Sequence, residues 1–152
     1  MASWQLFSFN QLSNFQLYQL IKLRIDVFVV EQNCPYPELD DKDHASGAYH
    51  LLGYEGDELV ACARLLAKDI SYPDQASIGR VAIKDSARGA GLGHELLQNA
   101  LKHIESSWGR ISIKISAQEH LSHYYNKHGF VQCTNMYLED GIPHIGMQRE
   151  AN

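Results

Sequence analysis

No apolar run in this chain approaches the roughly 18–20 residues that span a bilayer, so a membrane-crossing helix is not expected. Nor is there a basic stripe. Thirteen lysines and arginines stand against 18 acids, a formal net charge of -5. Nucleic-acid binders concentrate positive charge on one face, so no nucleic-acid partner is expected; mild acidity suits a cationic small substrate slightly better than an anionic one. Cysteine is scarce: Cys34, Cys62 and Cys133 are odd in number and far apart, which implies no disulfide framework. Repeats and low-complexity tracts are missing too. Met1 to Asn10 lack the basic start and long apolar stretch of a signal peptide, and the expected setting is reducing and cytoplasmic.

What is present suits one core. The 152 residues are 45% hydrophobic and 20% charged, the size and balance of a single domain over residues 1–152. Trp4 to Phe9 alternates apolar and polar and reads as a strand. Ser13 caps a helix in which Leu17, Leu20, Ile21, Arg24 and Phe28 share a face. From Glu31 to Gly47 the pattern dissolves into Pro35, Pro37 and a run of acids; a long structureless stretch inside a compact domain is usually functional. Ala48–Tyr54 and Leu59–Leu66 predict a hairpin across Glu55-Gly56-Asp57-Glu58. Ser77–Ile83 is strand-like, and Gly91–Trp108 is the strongest helix. Ile111, Ile113 and Ile115 mark the next strand, His120–His128 a short helix stopped by Gly129. Phe130–Met136 and His144–Arg149 are the last strands, parted by the turn Glu139-Asp140-Gly141. The order is β-α-β-β-β-α-β-α-β-β. Residues 77–116 form one βαβ unit, hence a parallel pair in an otherwise hairpin-built α/β sheet.

The sharpest feature is Arg88-Gly89-Ala90-Gly91-Leu92-Gly93, between a strand and a long helix. Glycine lets backbone approach a ligand closely. A helix start offers unpaired N–H groups and the positive end of a dipole, which suits phosphate. The alternative is a tight turn with no ligand. Three alternate glycines beside an arginine favour a pyrophosphate cradle. A nucleoside triphosphatase needs Gly-Lys-Ser/Thr, and here His94 follows Gly93. A dinucleotide fold wants different glycine spacing and a later acid that the next strand lacks.

Val81-Ala82-Ile83 followed by Arg88-x-x-Gly91-x-Gly93 resembles the acetyl-CoA signature of the GNAT superfamily of N-acetyltransferases. Tyr124-Tyr125-Asn126-Lys127-His128-Gly129-Phe130 resembles its second signature. Val27 to Tyr36 and Tyr137 to Met147 are similar to the ElaA-type branch. The resemblance implies a mixed, mostly antiparallel sheet with helices on both faces and one splayed parallel strand pair. It implies acetyl-CoA as cosubstrate, with the pantetheine arm on the backbone of Val81, Ala82 and Ile83. The pyrophosphate would rest on Arg88, Gly89, Ala90, Gly91, Leu92, Gly93 and His94. Direct transfer to a small-molecule or peptide amine follows, with Tyr125 protonating the leaving thiolate; the alternative for Tyr125 is a packed helix tyrosine. Glu31, Glu38, Asp140 and His144 are candidates for the base or the acceptor site, and relay through water is an equal alternative. The acceptor is unmarked, as is oligomeric state; a homodimer is open.

No metal is expected. His120 and His123 lack a third ligand with suitable spacing, and His94-Glu95 lacks the second histidine of a zinc helix. Cys34 reads as a bystander. A narrower resemblance is to the acyl-homoserine-lactone synthases, through Arg24, Phe28, Glu38, Asp40, Asp43 and Arg64. The tryptophan those enzymes carry after the phenylalanine is missing, and the same residues read physically as ion pairs pinning the long loop, each worth little if exposed. A CoA-binding module without catalysis is the third reading.

Overall fold

The computed structural model describes residues 2–151. β1 (Ser3–Ser8), β2 (Ala48–Glu55), β3 (Glu58–Leu66) and β4 (Ser77–Ile83) pair antiparallel in that order. A second sheet is centred on β8 (Ile142–Arg149), flanked by β5 (Ile113–Gln118) and β6 (Val131–Gln132), with β7 (Tyr137–Glu139) also pairing β8. β2 and β3 are nearly continuous apolar runs because both their faces are covered. On one side α2 (Leu92–Trp108) brings Leu96, Leu97, Ala100 and Ile104 against Leu51, Ala61 and Leu65. On the other, α1 (Asn14–Ile25) packs Leu20 and Leu23, with Val27 beyond its end, against Leu52, Leu59 and Cys62. α1 opens on the Ser13 cap, whose hydroxyl accepts from Gln16 N–H at 3.1 Å while Gln16 Oε1 accepts from Ser13 N–H at 2.9 Å.

The two sheets meet at one parallel contact. Ala76 N–H donates to Ser112 O at 3.0 Å and Lys114 N–H to Ala76 O at 2.9 Å. Beyond it β4 and β5 part, and the reason lies within β4. The register with β3 slips between Cys62 and Arg64, so that two residues, Arg80 and Val81, stand opposite Ala63 alone, and Arg80 takes a φ of 49°. Such a bulge bends its strand, and a cleft opens between β4 and β5. The expected parallel pair is therefore a touch at the base of a splayed V.

Two expectations are corrected. The buried stripe of α1 is Leu20, Leu23, Arg24 and Val27, while Leu17 and Ile21 join Tyr18 and Ile25 on an apolar outer face. The helix has apolar residues nearly all round, so its sequence permits either stripe, and the sheet decides. The strand expected over 130–136 shrinks to Val131–Gln132. There the side chain of Thr134 replaces a ladder bond, its Oγ1 accepting from Gly146 N–H at 2.8 Å. The chain re-enters the sheet at Tyr137 and turns on Asp140 and Gly141 alone, with φ of 52° and 78°. A two-residue turn with positive φ at both positions fits the strand twist, so Glu139 and Ile142 pair rather than loop.

Candidate active site

The cradle is built as the glycines require. Gly91 caps α2 in the left-handed region with φ of 79°, and Gly89 has φ of 91°. A Cβ on either would meet no atom within 4 Å and would project into open space beside the turn. Among the described residues, none of the amides from Gly89 to His94 donates to a backbone carbonyl. Six unpaired N–H groups at the positive end of a 17-residue helix are groups that can hold an anion. Gly93 serves packing: a Cβ there would lie 3.4 Å from the Tyr124 ring. Arg88 Nε–H donates to Ile83 O at 3.0 Å, and its other nitrogens hold Glu31 in a two-pronged pair at 2.6 and 3.0 Å. Glu31, expected among the bases, thus lies at the cradle and not on the cleft wall. His94 Nδ1 stands 2.8 Å from His128 Nε2, tying the start of α2 to the end of α3 (Ser122–Asn126).

The cleft between β4 and β5 has a volume of about 380 Å³. Lys84 N–H donates to Val60 O. Backbone groups alternate along an antiparallel strand, so those of Val81 and Ile83 turn away from β3 and toward the cleft, whereas Ala82 is buried. Ser116, Ala117 and Gln118 of β5 form the facing wall, with Tyr125 of α3 beside them. Tyr125 is 6% exposed, and burial raises its hydroxyl well above the usual phenol range, so it stays protonated. Tyr124 points elsewhere: its hydroxyl donates to Gly93 O.

His144 enters the same cleft from β8. Its Nδ1–H donates to Ile142 O at 2.7 Å, which leaves Nε2 as the basic nitrogen of the neutral ring. A carboxylate oxygen of Glu139 lies 3.4 Å from Nε2, ready to stabilise an imidazolium. The Tyr137 ring stacks on His144 at 6.2 Å, and its hydroxyl meets Ser116 Oγ, which also donates to Glu139 at 3.1 Å. Asp140 lines the cleft next door, its carbonyl accepting from Cys34 Sγ–H at 3.5 Å.

The long loop 32–47 closes the remaining side, pinned by ion pairs far more buried than expected. Arg24, 1% exposed, bonds Glu38 and Asp43 at 2.6 and 2.7 Å; Arg64 bonds Asp40 and Asp43 at 2.8 and 3.0 Å. Arg80 adds Glu38 at 2.8 Å and Asp40 at 3.3 Å. Glu38 is thus committed to two arginines at Oε2 and to the Tyr36 hydroxyl at Oε1, the role of an anchor for the loop. Burial alone would raise Asp40 and Asp43, but their arginine partners overcome it and hold both below the ordinary carboxylate range. Sequence reasoning missed Arg80 and the Glu139–Tyr137–Ser116 cluster. Three acids against two arginines in the loop pattern already called for a third cation. Glu139 was hidden by its reading as a turn residue. Among the described residues, no group of three or more histidine, cysteine or acidic side chains could hold a metal, and no helix is long and apolar enough to cross a membrane.

Comparison with known proteins agrees with this architecture. Residues 23–151 match the model of the acetyltransferase (GNAT) domain. The protein ElaA of Escherichia coli (strain K12) is 43% identical over 150 residues, 99% of this chain and 97% of ElaA, and its crystal structure superposes with a TM-score of 0.92. An acyl-CoA N-acyltransferase from Pseudomonas aeruginosa is 44% identical, with a TM-score of 0.93 over 98% of this chain and 99% of that one. The AHL synthase LasI superposes at 0.79 over 100% of this chain and 91% of its own, but at 15% identity the likeness concerns the fold alone. The chain belongs to the GNAT acetyltransferase family and, within it, to the ElaA-type branch.

Proposed function

We propose that this protein is an N-acetyltransferase, one domain over 1–152, that moves acetyl from acetyl-CoA directly to an amine in a ternary complex. The observation that carries the reading is that a protonated phenol, Tyr125, and a histidine whose Nδ1 is fixed on a backbone carbonyl, His144, line one cleft. The strand forming one wall of that cleft leads to an amide-lined anion cradle. The name of the Pseudomonas relative, an acyl-CoA N-acyltransferase, supports the donor class.

Acetyl-CoA would supply a thioester, with its pyrophosphate on the amides of Gly89 to His94 and its pantetheine arm on the outward backbone edge of Val81 and Ile83, where Arg88 already holds Ile83 O. His144 Nε2 receives the amine proton as nitrogen attacks, and Glu139 stabilises the imidazolium. The N–H of the bulged strand near Val81 faces the developing negative oxygen. Tyr125 O–H protonates the departing sulfur. One N–C bond forms and one C–S bond breaks, giving an amide and a thiol; Tyr125 regains from solvent the proton that His144 returns to it.

Thiol release from acetyl-CoA across an amine panel tests the reaction. His144→Ala is expected to lower kcat by about 10²-fold or more while the acetyl-CoA dissociation constant stays nearly the same; wild-type turnover by the variant would remove His144 from the mechanism. Glu31→Gln addresses the cradle. Glu31 competes with phosphate for Arg88, and exposed pairs of this kind are worth about 0.2–1 kcal/mol. CoA should therefore bind up to about fivefold tighter to the variant, by calorimetry, with the gain fading at high salt. Weaker binding would mean that Glu31 instead holds Arg88 in place for the phosphates.

A further inference from the structure

Three arginines, Arg24, Arg64 and Arg80, meet three carboxylates, Glu38, Asp40 and Asp43, in pairs. That network is neutral in itself. The charges left on the cleft wall are one cation, Lys42, and two acids, Glu139 and Asp140. Lys42 is half-buried; its ammonium donates to Ser71 Oγ at 3.0 Å and has no carboxylate partner among the described residues. A partly desolvated ammonium with one hydroxyl partner is undercompensated, and a bound anion would supply a charge-assisted bond. Lys42 and Ser71 line the same cleft as Glu139 and His144. The cleft's 380 Å³ must also admit the acetyl end of the donor, which leaves space for a small molecule.

We propose that the acceptor is a small amine bearing its own carboxylate, an amino acid, with its amine held at His144 and Glu139 and its carboxylate at Lys42. The assignment rests on the acetyl-transfer reading. A lysine placed to face an anionic group gives discrimination, because an acceptor without the carboxylate leaves the ammonium unpaired.

The test compares free amino acids with the amines made by removing their carboxylates: phenylalanine with phenethylamine, leucine with isopentylamine, lysine with cadaverine, and so through the set. Thiol release from acetyl-CoA is followed for wild type, Lys42→Met and Lys42→Arg. For the fastest pair, wild type is expected to favour the amino acid by about tenfold or more in kcat/KM, the scale of one charge-assisted bond. In Lys42→Met that ratio should collapse toward one, and in Lys42→Arg most of it should survive. Equal use of both members by wild type, or an unchanged ratio in Lys42→Met, would overturn the carboxylate subsite and leave acetyl transfer standing. Faster turnover of a peptide with an amidated C-terminus would overturn it in favour of a polypeptide acceptor. Absence of thiol release with every amine would overturn acetyl transfer, and this inference with it.

Discussion

Tyr125→Phe should lower kcat by about 10²–10⁴, the usual worth of a positioned general acid, and leave the affinity for acetyl-CoA nearly unchanged. Negative charge gathers on sulfur only as the bond breaks, so the hydroxyl acts in the transition state and contributes little before it. The protein keeps this hydroxyl ready: its ring packs edge-on against Phe130 at 5.9 Å, and burial keeps it protonated. Phenylalanine preserves that packing, so the change isolates one oxygen. Tyr124 is the control. One residue along a helix it points about 100° away, and its hydroxyl is spent on Gly93 O, at the cradle. Tyr124→Phe should accordingly disturb CoA affinity more than the chemical step. Single-turnover rates with calorimetry separate the two. A crippled Tyr124→Phe beside a benign Tyr125→Phe would exchange their roles, and wild-type rates in both would mean that the sulfur leaves without a tyrosine proton.

Most of the fold was legible because its signals are local and redundant. The α2 stripe, the alternating isoleucines of β5 and the Glu55–Glu58 turn each fit one structure only. The glycine turn before α2 was legible for the same reason, since Gly89 and Gly91 both take the left-handed backbone that favours glycine. What stayed hidden depends on tertiary choices. Which stripe of α1 is buried depends on the sheet it meets, because Leu17 and Leu23 are equally apolar. Arg80 sits in a strand-like run, and only the bulge opposite Ala63 turns it onto the acids of the loop. His144 was visible as a candidate but could not be ranked above Glu31, Glu38 or Asp140. The ranking comes from partners far apart in sequence: Arg88 takes Glu31, Arg24 and Arg80 take Glu38, and a backbone carbonyl fixes the His144 tautomer.

Arg24→Met should cost about 3–5 kcal/mol of stability at neutral pH, the range for removing one partner of a buried ion pair. Methionine fills similar space and can pack, so the loss comes from charge. Three buried or half-buried carboxylates would face two arginines, with Glu38 and Asp43 each short of a donor. For a chain of this size a deficit of that order lowers the melting temperature by roughly 10 °C. Function should follow, because Asp40 and Lys42 on the pinned loop line the cleft, whereas Gly89 to His94 do not. Acceptor KM is expected to rise more than the acetyl-CoA dissociation constant. Acid gives a second readout. Asp43, which Arg24 holds, has a depressed folded value, so its contribution is complete above about pH 4, the unfolded value, and is lost as pH falls through the folded one. The gap between wild type and Arg24→Met, read from urea midpoints, should therefore narrow below about pH 4, once protonated acids no longer need the cation. Arg24→Lys, which keeps the charge but not the two-pronged geometry, should fall between them. Equal midpoints for wild type and Arg24→Met at pH 7 would show that apolar packing of Leu20, Leu23 and Val27, and not the ion pairs, holds the loop against the sheet.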